Sequence, residues 1–119
     1  MDNLQLSQRV GDALSQHGLT VSTAESCTGG LILSTLTDIS GSLAYVIGGM
    51  VTYSNEAKMK HVNVQEQTLI QYGAVSEPVA REMAIGVCKV FGTDYALSVT
   101  GIAGPGGGTE TKPVGLTFI

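Results

Sequence analysis

The sequence predicts an α/β domain: a three-layer α/β/α sandwich built on a largely parallel or mixed sheet. Apolar β-type runs at 19–24, 45–53, 95–100 and 114–119 alternate with segments of helical periodicity. Parallel strands need crossovers, and helices covering both sheet faces supply them. The core material is also of the right kind. Hydrophobic residues make up 43% of the chain but Trp is absent and aromatics are few, so Val, Ile, Leu and Ala must fill the interior. At 119 residues the chain reads as one domain over 1–119. A domain of that size buries roughly two thirds of the surface its unfolded chain exposes, enough for one core.

Residues 4–17 place Leu6, Val10, Ala13 and Leu14 at helical spacing, and Gly18 stops them. Residues 19–24 read as a strand, 29–37 as a short helix rich in Leu and Ile, and 40–42 as a turn. The β-type run 45–53 contains Gly48-Gly49, which predicts a bulge or a close backbone approach. Residues 55–61 and 65–72 form two short helical segments. The strongest helix covers 76–91, with Ser76 as cap, Pro78 in the first turn and Gly92 at the end. A buried strand at 95–100, a long loop at 101–113 and a final strand at 114–119 complete the chain. No internal repeat and no linker is visible. The chain stops inside an apolar strand pattern, Leu116-Thr117-Phe118-Ile119, which predicts that a further segment normally follows.

Charge and cysteine use narrow the function classes. The net charge is −4, and the six cations, Arg9, Lys58, Lys60, Arg81, Lys89 and Lys112, form no stripe. A duplex-binding protein needs such a stripe to neutralise phosphates. Lys58, Lys60 and Lys112 instead fall in or beside loops, which suits a small anionic ligand. Cys27 and Cys88 make neither a CxxC pair nor a metal spacing, and His17 and His61 have no ligand partners in the pattern. No metal or organic cofactor is expected. Asp2, Asn3 and Gln5 interrupt any N-terminal signal sequence, and no apolar run reaches membrane-span length. A cytoplasmic protein with free thiols is the expectation.

Three loops hold residue types suited to chemistry. In Ala24-Glu25-Ser26-Cys27-Thr28-Gly29-Gly30, Ser26 sits between a strand and a helix, where α/β folds bind ligands. The N–H groups of that helix can hold an anion or oxyanion. Ser26 either acts there as a nucleophile or caps the helix. Cys27 is a nucleophile or a small buried hydrophobe. Glu25 is a general base, a solvated side chain or a helix-dipole partner. In Tyr53-Ser54-Asn55-Glu56-Ala57-Lys58, a desolvated Lys58 can act as a base and Tyr53 can relay a proton. The plainer alternative has Ser54 or Asn55 capping a helix and Lys58 solvated. The third loop, Thr100 to Thr109, contains five glycines, which let main-chain N–H groups approach a phosphate or carboxylate. It matches neither a P-loop nor G-x-G-x-x-G, and its alternative is a flexible surface loop.

In register, these segments resemble the C-terminal domain of the CinA (competence/damage-inducible) family, which includes stand-alone nicotinamide mononucleotide deamidases. The match consists of Thr23–Gly30, Gly41-Ser42 with Thr52–Lys58, Gly73–Ser76, Val99–Gly107 and Lys112–Gly115, in the family's order. The resemblance implies hydrolysis of the mononucleotide's carboxamide to nicotinate mononucleotide and ammonia. It implies Ser26 as nucleophile, Lys58 as base and Tyr53 assisting. It places Thr28, Gly29, Gly30, Ser54, Asn55, Thr100, Gly101, Gly104 and Gly106 at the substrate. Ser needs a base near neutral pH, and with no triad His in the motifs Lys58 is the natural one. The expected partner is a small nucleotide substrate, with no nucleic acid or membrane, and the expected assembly is a homodimer. Family domains continue past the strand at 114 with further strand and helix, which this chain lacks. The alternative from another class is a non-enzymatic nucleotide-binding or regulatory module.

Overall fold

The computed structural model describes every residue from Met1 to Ile119. Helix α1 (Asn3–His17) starts at Asp2, whose carboxylate and Gln5 form a reciprocal capping box, and ends at Gly18 with φ 65°. Strand β1 (Val21–Glu25) follows, buried at every position. Then come α2 (Leu31–Thr37), a 3-10 turn at Ser42–Ala44 and β2 (Val46–Val51). Helices α3 (Asn55–Val62), α4 (Glu66–Tyr72) and α5 (Glu77–Phe91) run consecutively before β3 (Tyr95–Gly101) and the short β4 (Thr117–Phe118). The sheet order is β2-β1-β3-β4. The first three strands are parallel and β4 is antiparallel to β3. The sheet is therefore mixed, with β1 at its centre.

Several boundaries differ from the sequence expectation, each for a local reason. The first strand starts at Val21, because the Leu19 N–H is held by the Leu14 carbonyl and Thr20 bonds Asp94. The second helix starts at Leu31, because Gly29 and Gly30 have φ of 62° and 101° and lie outside helical space. The last strand shrinks from 114–119 to Thr117–Phe118. A turn closed by the Leu116 N–H on the Pro113 carbonyl takes the preceding residues. The Gly48-Gly49 expectation is met in both forms. The β1–β2 register slips opposite Val21 and Ser22. A Cβ on Gly48 would overlap Phe91, and one on Gly49 would overlap Thr23 and Leu33.

Two apolar clusters lie on opposite faces of the sheet and define the layers. Val62, Val64, Val79, Met83 and Val87 pack with Ala24 beneath α3 and α5. Leu14, Leu36, Val21, Tyr45 and Val46 pack beneath α1 and α2. Each fully buried Val or Met stabilises the fold by about 1.5–3 kcal/mol. The α1–α2 layer stops short of β3, which leaves Tyr95 and Leu97 exposed on that face. Helices α3 and α5 cross so closely that a Cβ on Gly86 would collide with the Val62 carbonyl. No helix is long and apolar enough to cross a membrane.

Candidate active site

Because β1 lies between two parallel neighbours, the carboxyl ends of three strands emerge side by side. β1 delivers Glu25 and Ser26, β2 delivers Thr52 and Tyr53, and β3 delivers Thr100 and Gly101. Two backbone bonds lock the ends together. The Ser26 N–H donates to the Val99 carbonyl at 2.9 Å, and the Thr52 N–H donates to the Glu25 carbonyl at 2.8 Å.

Lys58 completes the centre. Ser54 caps α3 by accepting from the Ala57 N–H at 3.0 Å, which places Lys58 in the first turn. Helical side chains lean toward the N-terminus, so the Lys58 chain runs back over the strand end it has just left. Its Nζ lies 3.0 Å from Ser26 Oγ, 2.8 Å from the Thr52 carbonyl and 3.0 Å from the Tyr53 carbonyl. Lys58 is 1% exposed and Ser26 is 7% exposed. Burial pushes the Lys58 amine below the ordinary lysine range, and the neighbouring Cys27 sulfur opposes this in part. No carboxylate pairs with it, since the one salt bridge in the protein joins Arg81 and Glu77 on the surface.

The contact set can hold either form of the amine, since an ammonium finds three acceptors there. An –NH₂ group has two N–H donors and one lone pair. Nζ donates to Ser26 Oγ and to the two carbonyls, and the Ser26 hydroxyl donates to the Tyr53 carbonyl at 3.4 Å. On loss of one proton the two carbonyls can keep the remaining N–H groups, which leaves the lone pair for the Ser26 side. The solvated alternative for Lys58 does not hold, whereas Ser54 does act as a cap.

Ser26 does not cap α2. Glu25 does that work, although it is 1% exposed. Its carboxylate accepts from the Ile32 and Leu33 N–H groups, both at 2.9 Å, and from Thr28 Oγ1 at 2.7 Å. The Leu31 N–H goes to Thr28 and the Ser34 N–H to Gly30. The first turn of α2 therefore has no free N–H for an anion, contrary to the sequence expectation. Of the roles the sequence left open for Glu25, the structure shows the one at the helix N-terminus, and the solvated one does not hold because the side chain is buried.

The other expected site residues divide. Tyr53 enters the centre through its carbonyl; its ring is 74% exposed. Thr28 is half-buried beside Ser26 but its hydroxyl is bound to Glu25. Gly29 and Gly30 shape the turn with positive φ. Asn55 is exposed at the start of α3. Thr100 is buried, and its hydroxyl donates to the Ala74 carbonyl at 2.8 Å, which ties β3 to the turn before α5. Gly101 lies against Cys27, and a Cβ there would meet Cys27 Sγ at 3.0 Å. Gly104 packs on Val114, while Gly106 has open space around it.

The glycine loop is less free than its composition suggests. The Ile102 N–H bonds the Leu116 carbonyl, the Gly115 N–H bonds the Ile102 carbonyl, and the Thr109 N–H bonds the Lys112 carbonyl. Lys112 Nζ anchors the loop to the Tyr72 carbonyl at the end of α4. No group of three His, Cys, Asp or Glu side chains stands in metal-holding geometry.

The model of the family described as "CinA C-terminal domain" matches residues 3–119. Nicotinamide-nucleotide amidohydrolase PncC of Escherichia coli (strain K12) is 60% identical over 115 residues, which cover 97% of this chain and 70% of that protein. A CinA-like protein of Chloroherpeton thalassium is 56% identical over 117 residues, which cover 98% of this chain but 28% of that protein. Among solved structures, the competence/damage inducible protein CihA of Agrobacterium tumefaciens superposes with a TM-score of 0.96 at 50% identity, covering 98% of this chain and 71% of that one. The competence damage-inducible protein A of Klebsiella pneumoniae gives 0.95 at 38% identity, covering 98% of this chain and 73% of that one. This α/β chain, with its serine and buried lysine at the carboxyl end of the sheet, belongs to the CinA C-terminal domain family.

Proposed function

We propose that this protein hydrolyses the carboxamide of nicotinamide mononucleotide to nicotinate mononucleotide and ammonia, with Ser26 as nucleophile and Lys58 as its base. One observation carries the reading. A lysine buried to 1% exposure holds its Nζ 3.0 Å from a serine hydroxyl, with no carboxylate to keep it charged. The amidohydrolase named for the Escherichia coli relative, at 60% identity, supports the reaction class.

Each step balances at these atoms. Ser26 Oγ forms a bond to the carboxamide carbon and its proton moves to Lys58 Nζ. The N–H of Cys27, next to the nucleophile and without a partner in the chain, would be the donor to the oxyanion. The tetrahedral species collapses with cleavage of the C–N bond, and the Lys58 ammonium gives its proton to the departing nitrogen, which leaves as ammonia. A water molecule then gives a proton to Lys58 and attacks the ester carbon. Cleavage of the ester releases the carboxylic acid, which gives its proton to solvent, and Lys58 returns the proton it took from water to Ser26 Oγ. Tyr53, an exposed residue, would assist from the solvent side, where a substrate could meet it.

A pure nucleotide-binding module has no use for a buried amine against a serine hydroxyl. Ammonia release from nicotinamide mononucleotide by the purified protein tests the proposal. Binding of the mononucleotide without ammonia release supports the binding module and rejects the hydrolase.

A further inference from the structure

The residue next to the nucleophile is a carboxylate with almost no exposure and no cation near it. Glu25 is 1% exposed, and none of its contacts is a Lys or Arg. Burying a carboxylate costs several kcal/mol unless hydrogen bonds replace its water. Three do so here, and all three donors lie within eight residues downstream: Thr28 Oγ1, Ile32 N–H and Leu33 N–H.

The arrangement closes a ring. Glu25 is fixed at the base by its strand, paired with Val51 on one side and Val99 on the other. Its side chain reaches over the turn and holds the start of α2. Residues Ser26–Gly30 lie between those two fixed points. That segment includes two glycines at positive φ, Gly29 and Gly30, which would otherwise leave the turn loose. Thr28, in mid-turn, is tied to the same carboxylate.

We infer that Glu25 is a positioning residue: its buried carboxylate clamps the Ser26–Gly30 turn so that Ser26 Oγ stays on Lys58 Nζ. This rests on the Ser26–Lys58 reading above. Glu25 neither touches Ser26 Oγ nor Lys58 Nζ, so it takes no proton. The same carboxylate takes up the first N–H groups of α2.

The test is steady-state ammonia release by Glu25→Gln and Thr28→Val, with Ser26→Ala beside them. Gln keeps the shape but presents one NH₂, which cannot accept from the second N–H. A nucleophile displaced by about 1 Å loses roughly 10²-fold in rate. Glu25→Gln is therefore expected to lower kcat by roughly 10–100-fold. Its KM should change little, and the pH at which kcat rises should stay that of the parent, because Lys58 remains the titrating group. Thr28→Val removes one of three bonds and is expected to lower kcat less, again at unchanged KM. A folded Glu25→Gln with parental kcat overturns the inference. So does loss of the rising pH limb, which would make Glu25 a base, or a raised KM with intact kcat in Thr28→Val, which would place Thr28 on the substrate. Where Glu25→Gln fails to fold, Thr28→Val alone decides. Retained turnover in Ser26→Ala rejects the nucleophile itself, a distinct outcome.

Discussion

Replacing Lys58 separates the two things a buried lysine can do. As a base it must give up its proton; as a cation it need only attract substrate. Lys58→Met removes both functions, and Lys58→Arg keeps the charge but cannot release a proton. A positioned general base contributes about 10²–10⁴-fold. Both variants are therefore expected to lose kcat by that factor. Arg also fits badly. It brings five N–H donors to a pocket offering three acceptors, Ser26 Oγ and the carbonyls of Thr52 and Tyr53. Two donors stay unpaired at about 1–3 kcal/mol each, so Lys58→Arg is expected to be less stable by roughly 2–6 kcal/mol. Kinetics at a temperature well below each variant's Tm keep the two effects apart. Substantial kcat in Lys58→Arg, with the defect confined to KM, refutes the base assignment.

The pH dependence carries a second check with a definite sign. Burial lowers the Lys58 pKa below the ordinary value of 10.5. Between the folded and unfolded values, the unfolded chain holds a proton that the folded chain does not. Stability therefore rises with pH across that window. The penalty for charging Lys58 is complete below the folded pKa and fades as pH climbs toward 10.5. The parent should gain Tm across this interval relative to Lys58→Met, and kcat should rise through the same folded pKa. Parallel Tm profiles for the two proteins would show that Lys58 stays protonated, and the mechanism would lose its base.

Other perturbations give simpler outcomes. Ser26→Ala should lose at least about 10³-fold in kcat while still binding the mononucleotide, measured by ammonia release and calorimetry. Gly86→Ala should destabilise the fold by about 1–3 kcal/mol, because its methyl meets the Val62 main chain, and thermal unfolding measures this. Met83→Ala, at a site with no exposure, should cost about 2–5 kcal/mol by the same assay, with KM unchanged. Treatment with a metal chelator should leave turnover unchanged; a loss restored by added metal would contradict the Ser–Lys chemistry.

The sequence made the layers legible because both signals were strong. The 76–91 periodicity carries its own start and stop, and α5 runs Glu77–Phe91. Strand ends were less legible. Whether Leu19 or Val21 opens β1 depends on bonds to Leu14 and Asp94, and the Asp94 bond spans 74 positions. In the site, Ser26 and Lys58 stand out by residue type, but their 3.0 Å approach depends on a register no local pattern reveals. Capping and catalysis looked like rivals at Ser26. They are divided between neighbours, with Glu25 capping and Ser26 facing Lys58. Tyr53 adds a contribution that residue type does not announce. A phenol draws attention as a proton relay, yet its carbonyl does the local work, and every residue has a carbonyl. The glycine loop was read for its N–H groups, but several glycines serve contacts with Val114 and Cys27.

The centre depends on coincidence among three strand ends, and on the proposed mechanism this is what would let a lysine serve where a histidine is usual. A histidine is near neutrality in water and needs only orientation. A lysine must also be dried, so its base function exists only in the assembled fold. Here β1 supplies the serine, β2 supplies two carbonyls, and the first turn of α3 lays the lysine between them. Those carbonyls have opposing effects. As acceptors they favour the ammonium form, while the desolvation that accompanies them disfavours it. Desolvation is the larger influence, so the amine titrates low. Admitting water around Lys58 should therefore raise its pKa and lower the rate together, even with Ser26 untouched. On this side Gly101 fits closely between Cys27, the residue that follows Ser26, and Leu116-Thr117 at the start of the last strand. Gly101→Ala, whose methyl would press on Thr117 Oγ1, the Leu116 carbonyl and Cys27 Sγ together and so part β4 from this side of the site, is expected to move the rising limb of kcat to higher pH and to reduce kcat at neutral pH. An unshifted limb in that variant would mean that the Gly101–Cys27 contact does not govern how dry the lysine is.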